Sequence, residues 1–202
     1  MLLALTAFPG IARAQEDPRP PVTDDTSQGK RVALFLAGGA RGLALHESAH
    51  LIANAAFGEK PGLKKVDFHG IPFFAITHRS GLPHREEFVI SSAGFWMQHA
   101  VNDWLLSQSR PLKDRGPFPK GIFTFNIAAS TAYAGAAFAK TGPYERDTRG
   151  MADSARVDER WIGAFLLAPA AFDAWRYFHP ESKWAAWSSR GAKLGVVLLI
   201  VR

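Results

Sequence analysis

One stretch of the chain decides its fold and its chemistry: LALHESAHLIA, residues 43–53. Its composition predicts a helix, and it contains the pattern His-Glu-x-x-His, formed by His46, Glu47 and His50. Residues four apart on an α-helix lie about 40° from one another around the helix axis, so both imidazoles can reach one metal ion. The Glu47 carboxylate then lies beside the open coordination position. This pattern predicts a zinc hydrolase, in which a carboxylate takes a proton from water.

The surroundings of the motif favour metal binding over a coincidental pair of helix histidines. Apolar residues flank its three ionisable groups, and burying such groups is costly unless something binds them. The chain has no cysteine, so disulfides and thiolate metal ligands are excluded. A third metal ligand must therefore be a histidine or a carboxylate.

Length and charge limit the class of protein. A chain of 202 residues is long enough for one domain with a buried core. The formal net charge is +6, but the basic residues are scattered between apolar segments and form no continuous patch. Nothing in the sequence resembles a recognition helix or a base-stacking surface, so nucleic acid is not expected as a partner.

The N-terminal part predicts an exported protein. Residues 2–8 form an apolar run, and Ala12-Arg13-Ala14 is a small-x-small cleavage site, so residues 1–14 are predicted to be a signal peptide. A short hydrophobic N-terminal helix is the alternative. Residues 15–30 are rich in proline and acidic side chains without periodicity, which predicts a disordered linker. We therefore expect the bacterial inner membrane as the location, with the exported N-terminus facing the periplasm.

Residues 31–202 are predicted to form a zinc-metalloprotease-like helical domain. The expected fold is mainly α: a membrane-embedded bundle of about four helices with a small β-hairpin after the metal-motif helix. The segments on which this rests are residues 32–57, the hairpin 63–78, and three further helices at 88–106, 121–139 and 158–178. Residues 121–139 carry no formal charge and are the strongest candidate for a membrane span.

Local signals refine this expectation. Gly38 and Gly39 are expected to break the first apolar segment, and Pro169 is expected to bend or interrupt the helix at 158–178. Small residues recur four apart in the segment 121–139, for example at Ala128 and Ala132, which predicts a surface for close helix packing.

Several side chains are candidates for the third metal ligand. His69, His78 and His84 qualify by residue type alone. His99 and Asp103 lie four apart in an apolar helix, so they either face a functional site or satisfy each other. Two further candidates are Asp147, which can also be read as the cap of a following helix, and Asp153.

Over about residues 32–151 the chain resembles the site-2 protease family of intramembrane zinc metalloproteases. In that family the His-Glu-x-x-His motif lies in a first core helix, commonly with a small residue before the second histidine, as Ala49 is here. A short β-rich segment follows, as residues 63–78 do. A second core helix carries a Gly-Pro-x-x-Asn-like element, of which this chain has Gly94 and, in place of the asparagine, Gln98.

In the same family an aspartate after a third core helix completes the metal site. Residues 121–139 correspond to that helix and Asp147 to that aspartate, although Thr-Arg-Gly follows it here. The resemblance therefore implies a Zn²⁺ site made by His46, His50 and Asp147, with Glu47 activating water.

The function implied is that of a zinc metalloendopeptidase that hydrolyses peptide bonds at or within the membrane. Its expected partners are a peptide or membrane-protein substrate and membrane lipid. Two other classes stay open at this point: a non-enzymatic membrane protein whose motif is degenerate or structural, and a soluble periplasmic zinc peptidase whose apolar helices form an ordinary core.

Overall fold

The computed structural model of the protein describes residues 27–68 and 71–200. Within them the chain is mainly helical with one two-stranded antiparallel sheet. The elements are α1 (Gln28–Ala56), β1 (Gly62–Phe68), β2 (Ile71–Thr77), α2 (His84–Leu106), α3 (Pro117–Ala139), α4 (Asp147–Ala155), α5 (Glu159–Phe178) and α6 (Lys183–Ile200). A short 3-10 helix, Leu112–Asp114, precedes α3. The mainly helical class and the hairpin after the metal-motif helix are confirmed.

Some predictions lie outside the described residues. These are the signal peptide at 1–14, the linker up to residue 26, and the candidate ligand His69. Helix α1 begins at Gln28, so the last residues assigned to the linker are helical. Ser27 caps this helix, because its hydroxyl accepts a hydrogen bond from the backbone N–H of Lys30 at 3.4 Å.

The described residues form six α-helices, two more than predicted. The additional helices are α4 and α6. Helix α4 has only nine residues, too few to be recognised from periodicity alone, and the sequence indicated there only a candidate cap, Asp147, for a following helix. Helix α6 combines the aromatic residues Trp184 and Trp187 with the apolar residues 194–200 in one element.

The expected break at Gly38 and Gly39 is wrong, because α1 continues through both residues. A Cβ atom built on Gly38 would lie 2.1 Å from the carbonyl oxygen of Phe118, and one on Gly121 would lie 2.0 Å from that of Phe35. The glycines therefore let the backbones of α1 and α3 touch, as small residues do where membrane helices cross.

Two further local predictions differ from the structure. Pro169 is buried inside α5 and does not interrupt it, so of the two outcomes expected there the interruption is wrong. The small residues Ala128 and Ala132 on α3 are exposed. Helix α5 packs against a different face of α3. There a Cβ atom on Gly163 would lie 3.0 Å from the carbonyl oxygen of Ala134. Small residues occur on more than one face of α3, so spacing alone did not select the packed face.

Helix α1 has the reverse of the polarity expected in a water-soluble protein. Its buried face carries small and polar residues: Gly38, Gly42, His46, Ala49, His50, Ala53 and Asn54. After the first turn its exposed face is mainly apolar, with Arg41 and Ser48 as exceptions, and includes Leu36 at 64% and Ile52 at 62% relative exposure. An apolar outer face with a polar inner face is the pattern of helices in lipid. Among the described residues, α3 is the single helix long and apolar enough to cross a bilayer.

A network of buried polar side chains joins α2, α3, α5 and α6. Asp173 of α5 is fully buried and lies 2.8 Å from the ammonium group of Lys193 on α6. Asp173 also accepts hydrogen bonds from Asn102 at 3.0 Å and Ser189 at 2.5 Å, and Asn126 donates to Asn102 at 2.8 Å. Each side chain in the network pairs with a buried polar group that would otherwise have no partner. The network therefore fixes how these helices pack against one another.

Asp173→Asn is expected to lower the free energy of unfolding by about 3–5 kcal/mol, because it leaves the Lys193 ammonium buried without its carboxylate. The measurement is denaturant unfolding followed by circular dichroism. The double variant Asp173→Asn/Lys193→Met removes both charges and should recover part of this loss. Equal destabilisation of the single and double variants would show that the ion pair does not hold the bundle together.

Candidate metal centre

Three side chains converge between α1 and the start of α4. His46 and His50 lie one turn apart on the buried face of α1, and Asp147 is the first residue of α4. The His46 Nε2 and Asp147 Oδ2 atoms are 3.2 Å apart, and the His50 Nε2 and Asp147 Oδ2 atoms are 3.4 Å apart. The two Nε2 atoms lie 3.2 Å from each other. Within the part of the chain that the structure describes, this is the one histidine and carboxylate group able to hold a metal ion.

The separations fit a tetrahedral metal ion. Bonds of about 2.0–2.2 Å at tetrahedral angles place neighbouring donor atoms about 3.3–3.6 Å apart. The observed distances of 3.2 and 3.4 Å nearly match this range. Two neutral imidazoles and one carboxylate are also a donor set that Zn²⁺ accepts. The group can therefore hold a metal ion without rearrangement of the helices.

Hydrogen bonding fixes the orientation of His50. Its Nδ1 lies 2.8 Å from the backbone carbonyl oxygen of Ile90 on α2. A carbonyl only accepts, so Nδ1 carries a proton, and Nε2 is the atom that faces the centre and would present its lone pair to a metal ion. Such an outer hydrogen bond is usual for metal-binding histidines.

Packing orients His46. The Nδ1 atom of His46 is buried and has no hydrogen-bond partner in the described structure. The Phe95 ring contacts the imidazole edge-on with centroids 5.3 Å apart, and the Tyr133 ring stacks on it at 6.2 Å. A Cβ atom on Gly94 would lie 2.3 Å from the His46 ring, so only glycine leaves room for the imidazole at this crossing.

The charge state of Asp147 is set by its neighbours. Burial by itself raises the pKa of this carboxyl, but the His50 and His46 imidazoles hold the pKa well below its usual range. Asp147 is therefore an ionised acceptor, which is the form that binds a metal ion. The residue that caps α4 is Arg146, so Asp147 does not have the capping position that was its structural alternative.

Glu47 lies beside the three donors at the wall of a cleft. The cleft has a volume of about 440 Å³ and is lined by Glu47, His50 and Asp147 together with apolar parts of the hairpin and of α3. The Glu47 side chain is half-buried, so it is shielded from solvent yet accessible from the cleft. Its position is that of a carboxylate able to exchange a proton with a molecule bound there.

A second cleft of about 350 Å³ adjoins the first. Its lining is more polar and includes His78, Arg79 and Glu87. His50 and Asp147 line both clefts, so the candidate metal centre lies where the two meet. An extended chain can therefore lie across the donors with one part in each cleft.

Among the described residues, the other candidate ligands are not part of this centre. Asp103 binds Arg176 at 2.6 Å and Arg190 at 3.2 Å, so it does not satisfy His99, whose buried Nε2 has no partner among the described residues. Asp153 has a side chain that is 71% exposed and pairs with Arg149 at 3.5 Å.

The remaining histidines also have other neighbours. His78 lies 3.4 Å from Glu87, and this hydrogen bond raises the pKa of His78. His84 lies 3.1 Å from a guanidinium nitrogen of Arg156.

Sequence reasoning missed several residues at the site. Tyr133 lines the apolar cleft and covers one face of His46, and Glu159 binds the residues on both sides of Asp147. Tyr133 is one of only three tyrosines in the chain and lies in the charge-free segment 121–139, which is a signal that could have drawn attention to it. Glu159 follows a helix cap, where an acidic residue is ordinary, so nothing local distinguishes it.

Comparison with protein-family models, with curated proteins and with solved structures found no match to this chain.

Gly94→Ala is expected to abolish or strongly reduce metal binding, because the added methyl group displaces the His46 ring. The matched control is Gly191→Ala, since a Cβ atom on Gly191 meets no other atom within 4 Å. Bound metal is measured by mass spectrometry after purification without chelators. Wild-type metal content in Gly94→Ala would show that His46 does not need this close approach.

Proposed function

We propose that this protein is a membrane-embedded zinc metallopeptidase, as its resemblance to the site-2 protease family implies. The observation that carries the proposal is the convergence of His46, His50 and Asp147 beside the cleft-facing Glu47. Their separations suit a tetrahedral ion, and the donor set leaves one coordination position free for catalysis.

The residues divide the work between binding and proton transfer. His46, His50 and Asp147 would hold Zn²⁺, and a bound Zn²⁺ would supply Lewis acidity toward water and a peptide carbonyl. The Glu47 carboxylate accepts a proton from the attacking water and returns it to the leaving amine. Tyr133 shields His46 from the cleft and keeps a phenol group on the cleft wall.

The cleft favours an apolar peptide segment as substrate. The side chains of Val66, Phe74 and Ile76 from the hairpin face Ala132 and Ala136 from α3 across it. Small residues on α3 leave room for the side chains of a bound chain. A peptide or a segment of a membrane protein meets these requirements.

Membrane embedding is supported by what the bundle exposes. Apolar side chains cover the outer face of α1, and α3 has the length and composition of a span. Four tryptophans of α5 and α6 are exposed: Trp161, Trp175, Trp184 and Trp187. Exposed tryptophans are typical of the interface between lipid and water. We propose the bacterial inner membrane as the location.

Glu47→Gln is expected to lower the rate of peptide hydrolysis by about 10²–10⁴-fold, because the amide cannot accept the proton from water. Zinc content should stay unchanged, since Glu47 is not a ligand. The assay follows cleavage of a fluorogenic apolar peptide by purified protein in detergent. Glu181→Gln, at a side chain that is 73% exposed, is the charge-matched control. A wild-type protein that contains zinc and cleaves no peptide would favour a non-enzymatic role instead.

The protein is expected to remain in membranes after washing with alkaline carbonate, because apolar surface holds it in lipid while peripheral contacts are removed. Immunoblots of the pellet and the supernatant provide the measurement, with a known soluble periplasmic protein as control. Release of the protein into the supernatant would identify the apolar helices as the core of a water-soluble peptidase.

A further inference from the structure

The residues on both sides of Asp147 bind the same carboxylate. Glu159, the first residue of α5, accepts hydrogen bonds from Arg146 Nε at 2.7 Å and Arg146 Nη2 at 2.6 Å. It also accepts one from Thr148 Oγ1 at 2.7 Å. Asp147 therefore lies between two residues whose side chains both hydrogen-bond to the Glu159 carboxylate on α5.

These contacts are buried, so water does not weaken them. The side chains of Arg146 and Glu159 are each 9% exposed, and Thr148 is fully buried. A bidentate pair of guanidinium and carboxylate fixes the relative orientation of the two groups as well as their distance. The geometry of Arg146 and Thr148 relative to α5 is thus determined tightly.

The turn before Asp147 is held by the same arginine. Arg146 Nη1 donates to the carbonyl oxygen of Pro143 at 3.0 Å. Gly142 in this turn has a φ of 114°, a conformation that favours glycine. One guanidinium therefore joins the turn to α5 immediately before the chain enters α4.

Glu159 itself has no direct access to the centre. It lines neither cleft, and its hydrogen bonds go to Arg146 and Thr148. Its hydrogen bonds therefore act on Asp147 through the backbone that joins Asp147 to Arg146 and Thr148. A displacement of about 1 Å at that backbone is enough to separate a carboxylate from its ligand distance.

We propose that Glu159 is a positioning residue that places Asp147 against His46 and His50, and thereby sets the affinity of the centre for its metal ion. This inference rests on the metal site of the proposed function. The segment containing Asp147 is short and partly irregular, so it needs this outside support to present the carboxylate. The coupling makes the α4–α5 junction part of the metal site.

The test is a competition titration of the purified full-length protein with Zn²⁺ and a chelating indicator. Glu159→Gln and Thr148→Val should weaken zinc binding by about 10–100-fold, the range found when a side chain outside the ligands that helps to orient a ligand is removed. Thr148→Ser keeps the hydroxyl and should restore wild-type affinity. The visible absorption of bound Co²⁺ should change in Glu159→Gln, because the position of Asp147 changes.

Two controls separate positioning from general stability. Asp158→Ala removes the side chain that caps the same end of α5, where Asp158 accepts from the Arg160 N–H at 3.0 Å. It should lower thermal stability and leave zinc affinity unchanged. Ser154→Ala removes hydrogen bonds that go only to the backbone of α4, and should leave zinc affinity unchanged as well.

The outcomes distinguish the two proposals. Failure of the wild-type protein to bind Zn²⁺ would overturn the metal centre and this inference with it. Wild-type zinc affinity in Glu159→Gln and Thr148→Val would overturn the positioning role alone. An equal loss of affinity in Asp158→Ala would also overturn it, because general destabilisation would then explain the result.

Discussion

The close approach of one carboxylate to two imidazoles is the interaction on which the rest of the structure depends. Asp147 lies 3.2 Å from His46 and 3.4 Å from His50, in a largely buried position. Burying three ionisable side chains together costs free energy unless a partner interacts with their charges and lone pairs. The fold nevertheless assembles this group from two distant parts of the chain, and α2 and α3 supply the packing that keeps it in place.

Close backbone contacts make this assembly possible. Gly38 and Gly121 bring α1 and α3 together, and Gly94 lets α2 approach the His46 ring. In lipid, helix association depends on close packing and interhelical hydrogen bonds, because apolar side chains gain little from leaving an apolar solvent. The interior contains the Asp173 network while apolar residues of α1 face outward, which is the arrangement that our proposed membrane location requires.

The junction between α4 and α5 links the candidate metal centre to this packing. Glu159 belongs to α5, whose other end is attached to α6 through Asp173 and Lys193. Asp147 is therefore placed by the bundle as a whole, and the two histidines are placed by a single helix. A ligand set of this kind combines a rigid local pair with one donor that depends on the tertiary fold.

The sequence by itself determined the pairing of His46 with His50, the hairpin and the approximate extent of the long helices, because each depends on local periodicity. It also selected Asp147, though only among several candidates. Tertiary structure decided the rest. The contact between His46 and Asp147 joins residues 101 apart in the chain, and local patterns carry no information about such distances. Gly38 was expected to break a helix because the local sequence does not show that it packs against α3. Glu159 resembled an ordinary residue at a helix start because its contacts with Arg146 and Thr148 form only in the tertiary structure.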